Sequence, residues 1–383
     1  MPWKETCVMD LRLQLIADWM SREYTVVELS TKYRVSRKTV YKWMRRYEEE
    51  GPPGLIDRSS APIYRPWATS TEIISYILAT KTKHTDWGPK KIIIRLKGKY
   101  PDIAWPAAST AQAILRREGW VKTRHRRKHT PSYTNPFIDS KQPNDVWCAD
   151  FKGDFLLGEG KRCYPLTITD SYSRYLICCR GLYHPGYDPV RKYYEQAFRE
   201  YGLPHAIRTD NGTPFASVSL GGLTRLSVWL IKLGITPERI EPGKPQQNGR
   251  HERFHRTLKE AALKPPGRIL SGQQKAFDHF KKIYNDERPH EAIGQKTPGK
   301  VYRHSERVYP DKLQDIEYAD NLTTRYVKPG GNIKWKGNHV YVSKLLSGET
   351  IGLKQIDDRL WEVYFSFHLI GIFDESLGRI LAL

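Results

Sequence analysis

Between about 145 and 212 the chain reads VWCADF, YPLTITD, YLICCRGL, PVRKYYEQAFREYG and HAIRTDNG. Short apolar runs surrounding one helical stretch predict three strands, a helix and a further strand, the makings of an α/β domain. Helical spacing continues near 219–234, 249–263 and 271–286. Two acids fall at strand ends: Asp150 within or closing VWCADF, and Asp210 directly before an Asn-Gly turn signal. One such acid often merely caps a turn, so the pair gains meaning only beside a third acid farther along the chain.

The flanks read differently. Residues 11–50 carry helical periodicity broken by a short turn at Val35, with Ser36 placed to cap a second helix. In that helix Val40 and Trp43 point inward, while Arg37, Lys38, Tyr41 and Lys42 lie on the outer face. This is the pattern of a helix-turn-helix whose second helix enters a DNA major groove, and a first domain is expected over 1–58. GPPGLIDRSSAPIYRP (51–66) reads as a linker. A second helix-turn-helix domain is expected over 67–130, with Ser109 and Thr110 available to cap its last helix. It ends in the basic run KTRHRRKH, where Arg126 and Arg127 are candidate DNA contacts. The α/β core spans 140–300. Beyond 318 short β runs with glycine turns suggest a small SH3-like β-barrel over 318–383. The fold class is therefore multidomain: helical units, an α/β core and a small β-barrel.

Charge points to the partner. The net charge is +21, and 26 basic residues face 14 acidic ones in 1–140, 26 face 17 in 141–300, and 11 face 11 beyond. A polyanion, by default nucleic acid, should meet the first two thirds. Five cysteines with no C-x-x-C pair indicate neither a disulfide framework nor a zinc knuckle, which suits a reducing compartment. The start, MPWKETCVMD, lacks a signal-peptide core, and no apolar run is long enough to span a bilayer. A cytoplasmic protein without membrane contact is expected.

At 251–255 stands HERFH, which matches the zinc-protease pattern H-E-x-x-H. On a helix, the fourth and seventh residues after Glu252 return to its side, so Arg256 and Lys259 flank it, whereas Phe254, Leu258 and Ala261 fall on the opposite side. Glutamate and two cations share one face. The histidines, one turn apart, are close enough to chelate, but no third-ligand motif succeeds them and the surroundings are basic. Asp150, Asp210 and Glu252, on two strands and a helix, can converge instead on one or two hard cations such as Mg²⁺.

WCADFKG, TITDSYSRY, RTDNGTPF, KPQQNGRHERFHRTLKE and YNDERPHEAIGQKTP, in that order and spacing, resemble the integrase core of DDE transposases, closest to the IS481 group. The resemblance implies an RNase H-like catalytic core with Asp150, Asp210 and Glu252 as catalytic and metal-binding acids. It implies two Mg²⁺ or Mn²⁺ ions as cofactors. Retroviral integrases are similar in this core, and their basic residues after the glutamate correspond to Arg256 and Lys259. The expected partners are double-stranded DNA, both element terminal repeats and target, and further copies of the chain in a dimer or larger assembly. A nucleoid-associated bacterial protein is implied. Asp170 is expected to be structural, as are Asp154 and Glu260, with Asn211 and Asn248 bonding a loop or a phosphate.

Two other functions compete. A domesticated DNA-binding regulator would use the core only as a scaffold and would lack metal-dependent strand cleavage. A zinc metalloprotease would need His255 as much as Glu252, whereas the transposase reading expects His255→Ala to be tolerated far better than Glu252→Gln.

Overall fold

The computed structural model describes residues 7–58, 68–121, 140–210, 212, 214–215, 220–240 and 249–382. They fall into two compact units, Met1–Ala68 and Thr69–Leu383. Arg126 and Arg127 lie outside the described residues, as do Asn211 and Asn248.

The first unit holds three helices, α1 (Val8–Met20), α2 (Val26–Lys32) and α3 (Arg37–Glu50). Thr25 and Glu28 form a reciprocal capping box at the start of α2. Ser36 caps α3 by accepting the Thr39 N–H at 3.1 Å. Leu15, Ile16, Leu29, Val40, Trp43 and Leu55 make the core. Arg12 lies 3.9 Å from the Trp43 ring and pairs with Asp57 at 2.9 Å. Arg37, Lys38, Tyr41 and Lys42 are all exposed, as the helical phase predicts.

The second unit opens with α4 (Thr71–Lys83), α5 (Pro89–Lys99) and α6 (Ala108–Arg117) around Ile77, Trp87, Ile92, Leu96, Ala111 and Leu115. The expected capping of α6 by Ser109 or Thr110 is not what forms: Ala107 is the cap residue and makes no side-chain bond. Both hydroxyl residues lie inside the first turn. There a side chain is already past the position from which it can bond the open N–H groups.

The core sheet is built from β1 (Val146–Phe151), β2 (Phe155–Leu156), β3 (Arg162–Asp170), β4 (Leu176–Leu182), β5 (Ala206–Thr209) and β6 (Thr236–Arg239). Its order is β4-β3-β1-β5-β6, with β2 also on the outer edge of β3. β3 is antiparallel to β1 and β4, while β5 and β6 run parallel to their neighbours. Between β4 and β5 lies α7 (Tyr187–Tyr201), and between β5 and β6 lies α8 (Arg225–Lys232). Two longer helices, α9 (Gly249–Ala262) and α10 (Leu270–Lys282), come next.

Strand alternation sends alternate residues to opposite faces. Trp147, Ala149, Leu166 and Ile168 pack against Tyr194 and Phe198 of α7 and Trp229 of α8. Cys163, Leu176 and Cys179 pack on Phe254 and Leu258 of α9 and Phe277 of α10. Covering both faces explains why these strands read as near-continuous apolar runs. Gly181 lets α10 approach, since a Cβ there would sit 2.8 Å from Leu270 and 3.0 Å from the Cys163 sulfur. None of the five cysteines is in a disulfide.

The helical domain of α4–α6 is docked on the core. Arg288 pairs with Asp86, Lys90 with Glu291 at 3.1 Å, and Arg95 with Glu287 at 3.1 Å. Ile283 joins the apolar cluster of the helices.

The carboxyl-terminal strands are β7 (Thr323–Tyr326), β8 (Asn332–Trp335), β9 (Asn338–Tyr341), β10 (Thr350–Asp357), β11 (Leu360–Phe365), β12 (His368–Asp374) and β13 (Arg379–Leu381). They form one antiparallel sheet, β13-β12-β11-β10-β7, and a separate ribbon β8-β9. Among the described residues no hydrogen-bonded ladder closes the barrel expected from the sequence. The ribbon lies beside β7 and β13 without pairing to either. Closure needs matched stagger all round, and four-residue β7, β8 and β9 are too short to supply it. This domain packs on the core through Leu223, Val228 and Ile231, and Lys232 pairs with Glu349 at 2.8 Å.

Candidate active site

The parallel register of β1 and β5 decides where the first two acids meet. Val146–Ala149 lie opposite Ala206–Thr209, so Asp150 and Asp210 come next at neighbouring positions. Adjacent strands place them roughly 5 Å apart at the backbone. Asp150 is buried, and Asp210, half-buried, accepts the Gly212 N–H at 3.1 Å.

Helix α9 brings the third acid. Glu252, Arg256 and Lys259 lie together on its outer side, away from the buried stripe. That stripe is less as expected. Phe254 and Leu258 face the core, but Ala262 is buried in place of Ala261, and the stripe is centred on His251 and His255. These are 3% and 8% exposed. The helix is rotated so that its histidines and Ala262, not Ala261, turn inward.

What they meet is the rung formed by Asp150 of β1 and Thr167 of β3. The Thr167 Oγ1 lies 3.0 Å from the Asp150 carbonyl oxygen, 2.8 Å from His251 Nε2 and 3.0 Å from His255 Nε2. His255 Nδ1 is 4.0 Å from a carboxylate oxygen of Asp150. Burial pushes His251 down to about 3, and burial with the neighbouring His251 and Lys152 pushes His255 down to about 2. Both imidazoles are therefore neutral at physiological pH.

Among the described residues the close group of possible metal ligands is Asp150, His251 and His255, with one atom of each within 4.8 Å of the others. The three acids are not gathered as tightly: Asp150 and Asp210 are neighbours, and Glu252 sits on the exposed side of α9, away from the histidines that meet Asp150 and Thr167. All three are oxygen donors, which suits a hard divalent cation such as Mg²⁺. His255 is tied into the fold through Thr167, a contact that the sequence did not suggest. The clue was present in the i, i+4 spacing, but nothing in α9 itself named Thr167 as the partner.

The acids expected to be structural are so. Asp170 accepts the Asn144 N–H at 2.8 Å and the Ser173 N–H at 2.7 Å, and burial pushes its carboxyl up. Asp154 pairs with Arg162, and Glu260 with Lys264 at 2.9 Å.

Comparison with known proteins agrees with this layout. Residues 140–245 and 233–298 each match an integrase core domain, residues 11–63 a helix-turn-helix domain, and 39–115 a homeodomain-like domain. The chain is similar to the insertion element IS407 uncharacterized 31.7 kDa protein of Burkholderia multivorans, 29% identical over 48% of this chain and 65% of that one. It is also similar to the insertion element IS476 uncharacterized 39.2 kDa protein of Xanthomonas euvesicatoria, 27% identical over 62% of this chain and 66% of that one. It thus spans just under two thirds of these relatives. Among solved structures, the HTLV-2 integrase catalytic core domain in complex with magnesium covers 43% of the chain and all of its own, at 16% identity and a TM-score of 0.34. No helix among the described residues is long and apolar enough to cross a membrane. Residues 140–298 thus match the integrase core domain, and a helix-turn-helix domain and a homeodomain-like domain match the residues before them.

Proposed function

We propose that the protein is a transposase, a DDE-type polynucleotidyl transferase that binds double-stranded element ends and cuts and joins DNA strands. The observation that carries this is the pairing of Asp150 with Asp210 at the carboxyl ends of β1 and β5, with α9, whose His255 lies by Asp150, exposing Glu252, Arg256 and Lys259 together. Asp150, Asp210 and Glu252 would hold two Mg²⁺ or Mn²⁺ ions. Bound there, the metal activates the attacking oxygen and neutralises charge on the phosphate. In strand transfer the 3′-hydroxyl oxygen would form a bond to the target phosphorus and lose its proton to solvent. The opposite P–O bond breaks in line, and its oxygen leaves as the new 3′-hydroxyl of the target strand after taking a proton from water. Arg256 and Lys259 would grip phosphate oxygens beside the acids. Arg37, Lys38, Tyr41 and Lys42 on α3, with Arg126 and Arg127, would hold the DNA.

Joining two ends requires at least two protomers. The IS481-like character, a cytoplasmic, nucleoid-associated setting in bacteria and the SH3-like nature of the carboxyl-terminal strands belong to the same reading. A protease does not fit: catalytic zinc needs an open coordination position, and His251 is buried between α9 and the sheet, against Thr167.

The test is strand cleavage in Mg²⁺ or Mn²⁺, on supercoiled plasmid and on the genomic DNA flanking the protein's own reading frame. Cleavage by the wild type that is lost in Glu252→Gln is expected. Metal-dependent cleavage undiminished in Glu252→Gln would remove the assignment, and no cleavage of either DNA would favour the regulator.

A further inference from the structure

We propose that Asp150, His251 and His255 form a binding site for a zinc-class transition-metal cation, distinct in ligand chemistry from the Mg²⁺ site but sharing Asp150 with it. One hydroxyl sets the protonation of the whole group. Thr167 Oγ1 has a single proton and two lone pairs, and it makes three contacts of hydrogen-bond length. The Asp150 carbonyl oxygen can only accept, so Thr167 donates to it. Both imidazoles must then donate to Thr167 through Nε2–H. Each neutral ring is left with an unprotonated Nδ1.

The consequence is an electron-rich pair of facing atoms. At His255 the bare Nδ1 faces the Asp150 carboxylate oxygen across 4.0 Å, too far for a hydrogen bond and with no proton between the two. A cation there is attracted by both atoms at once. Zinc takes nitrogen at about 2.0–2.1 Å and carboxylate oxygen at about 2.0–2.2 Å in a tetrahedron, so two ligands of one ion stand about 3.4 Å apart and binding has to draw Nδ1 and the carboxylate oxygen roughly 0.6 Å closer. One possible ligand atom of each of the three residues lies within 4.8 Å of the others, and binding would draw them together.

The donor set selects the metal. Two imidazoles and one carboxylate in a buried setting favour Zn²⁺, Co²⁺ or Ni²⁺ over Mg²⁺, which keeps oxygen ligands and several waters. Thr167 supplies the outer support, since a ligating histidine commonly donates its other ring N–H to a fixed acceptor. Because Asp150 serves both sites, a zinc-class ion there withdraws it from the acids around Asp210. That inhibitory consequence rests on the nuclease reading; the binding does not.

The experiment uses untagged, reduced, chelator-stripped full-length protein. Zn²⁺ binding is measured by equilibrium dialysis, and Co²⁺ serves as a visible-absorbing stand-in. One ion per chain is expected, held against millimolar Mg²⁺ and retained in Glu252→Gln. The His251→Gln/His255→Gln double variant should bind roughly tenfold or more weakly, and Asp150→Asn decides in its place if the double variant does not fold. Absence of stoichiometric binding, binding undiminished in those variants, or a thiolate-to-cobalt charge-transfer band would overturn the site. Zinc binding without DNA cleavage would leave this site standing and remove the nuclease reading. Cleavage without zinc binding would do the reverse.

Discussion

Replacing Thr167 by valine tests the centre of the site without touching an acid. The two side chains have nearly the same shape, so the change removes a hydroxyl and little volume at a position with no exposure. It strands the N–H groups of two buried imidazoles that had 2.8 and 3.0 Å partners. An unsatisfied buried donor costs about 1–3 kcal/mol. Two of them give about 2–6 kcal/mol, and some relaxation brings the expected loss to about 3 kcal/mol. Urea unfolding followed by tryptophan fluorescence reads it, because Trp147 is buried in the adjoining core. With a slope of ~3 kcal/mol per molar, the midpoint falls by about 1 M. Thr167→Ser is the control: it keeps the hydroxyl and loses one methyl, about 0.8 kcal/mol. If valine and serine variants unfold within about 0.5 kcal/mol of each other, the hydroxyl is not bonded to the imidazoles and their Nδ1 atoms need not be bare.

Acid should also destabilise the fold in a predictable window. His251 and His290 are pushed down to about 3 and His255 to about 2, all below the ordinary 6.5, so the unfolded chain binds more protons. Stability is therefore full above about pH 6.5 and lost as pH falls from there toward about 3, by about 1.4 kcal/mol per pH unit for each histidine. The slope between about pH 6 and 4 should drop by about that amount in His255→Gln; an unchanged slope would contradict the burial of that ring. On α3, alanine at Arg37, Lys38 and Lys42 should weaken DNA binding evenly across sequences. The salt dependence should flatten by about 0.9 per lost phosphate contact, and a salt slope equal to wild type would remove α3 from the interface.

Much of this architecture is legible in the sequence where one segment specifies its own environment. Ser36 and the Val40–Trp43 spacing define α3, and the apolar runs around Asp150 and Asp210 define strands whose register then brings the acids together. What needs two segments at once is not legible. Helical phase gives the apolar side of α9 only to within a residue or two, because Phe254 and Leu258 allow several rotations. The rotation adopted is set by Thr167, which lies 84 positions before His251. Short β7, β8 and β9 likewise announce strands without saying whether a ladder closes.

The docking of α4–α6 carries a mechanical consequence. With Asp86, Lys90 and Arg95 tied to Arg288, Glu291 and Glu287, α5 is spent on the core. That leaves Arg116 and Arg117 exposed on α6, the last of the three helices. A reading head bolted to a cutting head is a ruler. On the function proposed, the distance from the bases α6 would touch to the phosphate that is cut is fixed by folded structure. The cut would fall at one offset from its recognition sequence, and loosening Arg288 would smear that offset before it abolished cutting.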